Sequence, residues 1–252
     1  VNDDMKEDAA TIIKQIKSAY KSNYGDNYKD SLNQALTSAG YKNLSEYRQR
    51  MIKQIQYANF LLDYIDDHFD DVFNDYYQQC APKYVSLIKI SVSDTSSPTD
   101  NETSKLNEVK ELISNTDKSF GDIAQDYSDD STSSKKGSLG IVDSKDTSGI
   151  ANSYGKDVFN AIEALSEGQV SDVITGDDGY YFVKVTSTDK KTLKKELKKT
   201  DIDSPLLAYD DYLQYVVYNS YKINYKDKDI KKIVQEVVNK ALEERKTERG
   251  EA

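Results

Sequence analysis

The 252-residue sequence predicts an α+β fold: a helical lobe assembled from both ends of the chain, with a small mixed domain inserted between its halves. Three observations carry this. Apolar residues recur at steps of three and four before about residue 80 and again after about 189. The stretch between them opens on "YVSLIKISV" and ends on "YYFVKVT", both rich in β-branched residues. Within that stretch, helical segments alternate with Ser-, Gly- and Asp-rich loops. The predicted divisions are 1–82 and 189–252 for the two parts of the lobe and 83–188 for the insert.

In the first zone, Asn43 and Glu46 stand at capping-box spacing ahead of a helix. Leu44, Tyr47, Met51, Ile55, Ala58, Leu62 and Ile65 form its apolar stripe. Phe69, Val72, Phe73, Tyr76 and Tyr77 repeat the pattern in a shorter helix, and Gly25 and Gly40 are placed as helix stops. The insert follows with a strand, helices around "NEVKELIS", "SFGDIAQDY" and "DVFNAIEAL", and late strands. In the last zone Ile230, Ile233, Val234, Val237, Val238, Ala241 and Leu242 make a stripe that one helix cannot bury alone. The economical expectation is that it packs on the N-terminal helices.

Composition narrows the function. Forty-four acids against 34 bases give a net charge of -10, and long-range repulsion then works against nucleic acid and anionic membrane surfaces. One cysteine and one histidine exclude an internal disulfide and a clustered Cys/His metal site, and nothing in the sequence calls for a cofactor. The acids around His68 lack the alternating spacing and glycine turn of a calcium loop. Twenty tyrosines with no tryptophan offer apolar faces with polar tips, suited to core packing or to a surface that holds extended chain.

"SFGDIAQDYSDDSTSSKKGSLG" and "DVFNAIEALSEGQVSDVITGDDGYYFVKV" resemble, in the right order, consecutive stretches of parvulin-type peptidyl-prolyl isomerases. The layout of helical part, parvulin-like insert and helical part resembles extracytoplasmic foldases of the PrsA type and, more distantly, of the SurA type. In parvulins the resemblance implies a hydrogen-bonded group of two histidines, a Cys or Asp and a hydroxyl beside an apolar proline pocket. Carried over residue by residue, Asp130 takes the Cys/Asp position and Thr175 the hydroxyl. The strand histidine falls at Ser86 or Leu87, the second histidine at Tyr181, and a loop aspartate at Ser138. The pocket aromatic and methionine fall at Val158 and Tyr154. Asp130, Thr175 and Tyr181 are therefore the candidate catalytic residues; Ser86, Leu87, Ser138, Tyr154 and Val158 are the candidate substrate-binding ones. Because the single histidine, His68, lies in the N-terminal zone, no register brings two imidazoles together.

The resemblance implies a foldase or holdase for unfolded secreted polypeptide, with weak or no prolyl isomerisation. An active isomerase using Asp130, Thr175 and Tyr181, or a non-catalytic module for one exported partner, are the alternatives. It further implies an extracytoplasmic location at the membrane of a Gram-positive cell, anchored through a lipidated cysteine upstream of Val1. The apolar helical faces would also suit a homodimer.

Overall fold

The computed structural model describes residues 1–198, 204–209, 211–220 and 222–248. Tyr221 and the end of the polar tail lie outside them. The chain divides into two compact units, Val1–His68 and Phe69–Ala252.

The first unit is three helices: α1 (Asp3–Tyr24), α2 (Tyr28–Ser38) and α3 (Leu44–Asp67). The Asn2 and Asn43 side chains cap α1 and α3 by accepting from the backbone N–H groups of Met5 and Glu46. Gly25 ends α1 at φ 54°, and Gly40 follows α2 at φ 82°. Ala9, Ile13 and Met51 form the core, with Ile16, Leu44 and Tyr47 packed around them. His68 caps α3, its ring stacked 4.2 Å from that of Tyr64.

The second unit holds α4 (Phe69–Cys80), β1 (Lys83–Ser91), α5 (Asp100–Asn115), α6 (Phe120–Tyr127) and β2 (Ser138–Val142). Next come α7 (Ile150–Tyr154), α8 (Lys156–Ala164), β3 (Ile174–Thr175), β4 (Gly179–Ser187) and α9 (Lys190–Leu197). It ends with α10 (Pro205–Ala208), α11 (Asp211–Ser220) and α12 (Lys228–Glu248). The four strands make one antiparallel sheet in the order β2-β1-β4-β3. Strand alternation sends Val85, Leu87, Tyr181 and Val183 to one face, where Ile150, Val158 and Ile162 of α7 and α8 cover them. Ile88, Ile90 and Phe182 meet Leu106, Val109, Phe120 and Ile123 of α5 and α6 on the other. The fold is thus α+β, mostly helical with a small antiparallel sheet.

Strand β1 begins at Lys83, and Asp189 caps α9. The compact units part at His68 and Phe69, so α4 stays with the sheet. Consecutive residues of α4 bind different elements. Asp75 accepts a hydrogen bond from the Tyr209 hydroxyl at 2.6 Å and pairs with Arg245 of α12. Tyr76 donates to Asp143, in the loop after β2, at 2.7 Å. The Tyr76 and Tyr209 rings meet edge-on at 5.4 Å. Of the segment 1–82, α4 therefore meets C-terminal helices within this unit, while α1–α3 build a core of their own. On α12, Val234, Val238 and Leu242 are half-buried, but Ile230, Ile233 and Val237 are exposed. The predicted stripe is wider than the face that α12 buries.

Candidate binding site

The turn "KKGSLG" passes tightly under β1. Gly137 has φ 74°, and a Cβ there would lie 2.3 Å from the Leu87 carbonyl oxygen. The Leu87 N–H donates to the Gly137 carbonyl at 2.8 Å, which anchors the loop to the sheet. Upstream, Asp130 caps the 3-10 turn Ser131–Lys135, accepting from the Thr132 N–H at 2.8 Å and from the Thr132 hydroxyl at 2.6 Å. These local turn contacts are its shortest; a longer one, 3.5 Å, comes from the Tyr154 hydroxyl.

A cavity of about 580 Å³ opens between α7, the start of α8 and the β3–β4 turn. Tyr154, Val158, Ile174, Thr175 and Tyr181 are among the residues that line it. Val158 and Tyr181 are almost fully buried and share the sheet-face core with Leu87. The Tyr154 and Tyr181 rings meet edge-on at 6.2 Å, 81° apart. Each hydroxyl is directed to a carboxylate: Tyr154 to Asp130, Tyr181 to Asp178. Lys89 pairs with Asp178, and its ammonium lies 5.7 Å from the centre of the Tyr181 ring. Gly176 leaves room for that ring, since a Cβ would stand 2.7 Å from its edge.

The electrostatics follow from this wiring. Burial first, then the Asp130 charge and hydrogen bond, push the Tyr154 hydroxyl up to about 12. Burial and the Asp178 bond raise Tyr181 as well. The hydrogen bond from Lys89, then that from Tyr181, hold Asp178 below the usual carboxylate range. Near neutral pH both phenols are protonated donors with an acceptor already in place, so neither serves as a base. Val158, Tyr154 and Tyr181 give the cavity one apolar, aromatic wall, while Asn152, Lys156, Asp157 and Asp177 make much of the rest polar. The arrangement suits a compact apolar side chain with its adjoining amide.

Four of the eight sequence-predicted residues, Tyr154, Val158, Thr175 and Tyr181, line the cavity, and Asp130 is linked to it through Tyr154. The strand register resolves the other ambiguity. Leu87 lies on the cavity side of the sheet, in the core beneath it, and Ser86 on the opposite face. Ser138 donates to the Tyr84 hydroxyl at 2.8 Å and does not line the cavity. Sequence reasoning missed Lys89 and Asp178. Lys89 is two residues beyond Leu87, so strand alternation could have found it; Asp178 needed the conformation of the "GDDG" turn. Among the described residues no three His, Cys, Asp or Glu side chains converge as a metal site requires.

Residues 87–187 match the family model of the rotamases, the PPIC-type PPIase domain. The chain therefore carries a PPIC-type PPIase domain over these residues. It is 31% identical over 159 residues to the foldase protein PrsA of Staphylococcus aureus MRSA252, covering 60% of this chain and 47% of that protein. To the PrsA of Staphylococcus epidermidis RP62A it is 35% identical over 136 residues, covering 51% and 39%. The chain thus spans about half the length of the curated relatives it matches, or less. Among solved structures, PrsA from Bacillus subtilis matches at 22% identity and TM-score 0.40, over 91% of this chain and 79% of that one. PrsA from Streptococcus pneumoniae Canada MDR_19A matches at 20% and 0.40, over 94% and 82%. The PPIC-type domain contains the whole sheet except the first residues of β1, together with every residue lining the cavity.

Proposed function

We propose that the chain is an extracytoplasmic foldase of the holdase kind, binding unfolded secreted polypeptide and isomerising prolyl bonds weakly or not at all. The observation that carries this is the pair of tyrosines in the PPIC-type cavity, each with its hydroxyl directed to a carboxylate. Crossing the peptide-bond barrier of roughly 18–20 kcal/mol requires the twisted amide to be bound better than the planar one. The Tyr181 donor, engaged with Asp178, has little left to offer an amide as it twists, and the Tyr154 hydroxyl is turned toward Asp130 at 3.5 Å. The cavity still provides an apolar wall for a prolyl ring, so capture outlasts catalysis. The relatives' names support the foldase part of this reading.

The test pairs a protease-coupled proline-peptide assay with an aggregation-suppression assay on an unfolded secreted protein. Suppression with near-background isomerisation is the expected outcome. Strong isomerisation, abolished in Asp130→Ala, would overturn the reading and make the chain a true isomerase.

A further inference from the structure

The first unit carries a groove of about 620 Å³ that the PPIC-type site does not touch. Its walls are the middle of α1 and the start of α3, with Tyr28 at the head of α2. The floor is apolar: Ile13 is buried, and Leu44 and Tyr28 are half-buried. Around it stand Lys14, Lys17, Lys21 and Arg48, all exposed. No carboxylate lines the groove. Lys6 of α1 pairs with Asp3 and Arg50 of α3 with Glu46, but no hydrogen bond or ion pair engages the four groove cations among the described residues. In a chain with ten more acids than bases, four uncommitted cations around one apolar floor are a local inversion of charge.

We propose that this groove docks an acidic polypeptide segment bearing apolar side chains. The three lysines, at i, i+3 and i+7, spread their charges along roughly 10 Å of α1. That is about the length of three extended residues, so a short segment alternating Asp or Glu with Leu or Tyr can meet cations and floor together. Elsewhere the net negative field repels such a segment, which makes the groove selective within its own molecule. The proposal rests on the foldase reading only in taking polypeptide as the ligand; it does not depend on the PPIC-type cavity.

The experiment is fluorescence anisotropy of a labelled acidic-apolar peptide, and of its lysine-for-acid counterpart, titrated with the full chain. The acidic peptide should bind, and raising salt from about 50 to about 300 mM should weaken it several-fold by screening. A variant combining Lys14→Gln, Lys17→Gln, Lys21→Gln and Arg48→Gln should weaken it at least tenfold. A control with Lys226→Gln, Lys228→Gln, Lys231→Gln and Lys232→Gln, equal in charge change, should move it less than twofold. Equal losses in both variants, salt-independent binding, or preference for the basic peptide would overturn the proposal. So would groove-dependent binding to phosphatidylglycerol vesicles with no peptide binding. Because the salt series uses the unaltered chain, it decides even if the groove variant misfolds. Peptide binding without aggregation suppression would uphold the groove while removing the foldase reading.

Discussion

Tyr154 and Tyr181 keep their protons because burial strips water from the phenolate and a carboxylate lies against each hydroxyl. The folded Tyr154 hydroxyl, near 12, lies above the free-tyrosine value of about 10, so its stabilisation is complete below pH 10 and is lost as pH rises through 12. Tyr154→Phe should cost about 0.5–1.5 kcal/mol at neutral pH in urea unfolding, with the gap to the unaltered chain narrowing above pH 10. Gly137 and Gly140 make a sharper comparison at this scale. Both have positive φ, but an added Cβ meets the Leu87 carbonyl at 137 and nothing at 140. Gly140→Ala should cost about 1–2 kcal/mol for the backbone alone. Gly137→Ala should exceed it by a further 1–3 kcal/mol of overpacking, read as a lower urea midpoint. The candidate residues were legible where family likeness fixed their spacing, as with Tyr181 and Val158. Hydrogen-bond direction was not: the turn of Ser138 toward Tyr84 depends on how the loop folds back on itself.

Helix α5 is held at its start by a reciprocal cap. Thr99 accepts from the Glu102 N–H, and Glu102 accepts from the backbone of Thr99 and of Ser93. The backbone N–H groups of Ser93 and Thr99 lower the Glu102 carboxyl to about 2. Its stabilisation is present above the ordinary glutamate value and fades as pH falls toward 2. Acid unfolding of Glu102→Gln should therefore differ from that of the unaltered chain above about pH 4.3 and converge with it toward pH 2. Helix α4 is the other instructive element. Its amphipathic pattern was plain in the sequence, but nothing in that pattern marks Asp75 as buried. Only the tertiary fold brings it to Tyr209 and Arg245, far along the chain. Asp75→Ala, which strands a buried guanidinium, should cost about 3–5 kcal/mol by urea unfolding. Tyr209→Phe should cost about 1–3 kcal/mol.

Each compact unit has a core of its own, which composition did not signal. Every bond tying α4 to α10, α12 and the loop after β2 lies within 69–252. A chain of residues 69–252 should keep the sheet's circular-dichroism signature and unfold in one transition. A chain cut to 83–188, the boundaries the sequence suggested, loses Tyr76 and leaves Asp143, fully buried, without that donor. It should melt lower than a 69–188 chain. The fold class was legible because periodicity and strand composition are local properties. Where α4 belongs was not, because that depends on partners more than a hundred residues away.

The Asp75–Tyr209 bond spans 134 positions. A chain made from its N-terminus at about 5–20 residues per second has α4 in hand long before the residues that satisfy it. Until Tyr209 and Arg245 emerge, α4 can be held through Tyr76 and Asp143 but not yet through Asp75 and those two residues. Final closure of the second unit is thus timed to the arrival of its last helices, and a product stopped short of them lacks the bonds from Asp75 to Tyr209 and Arg245.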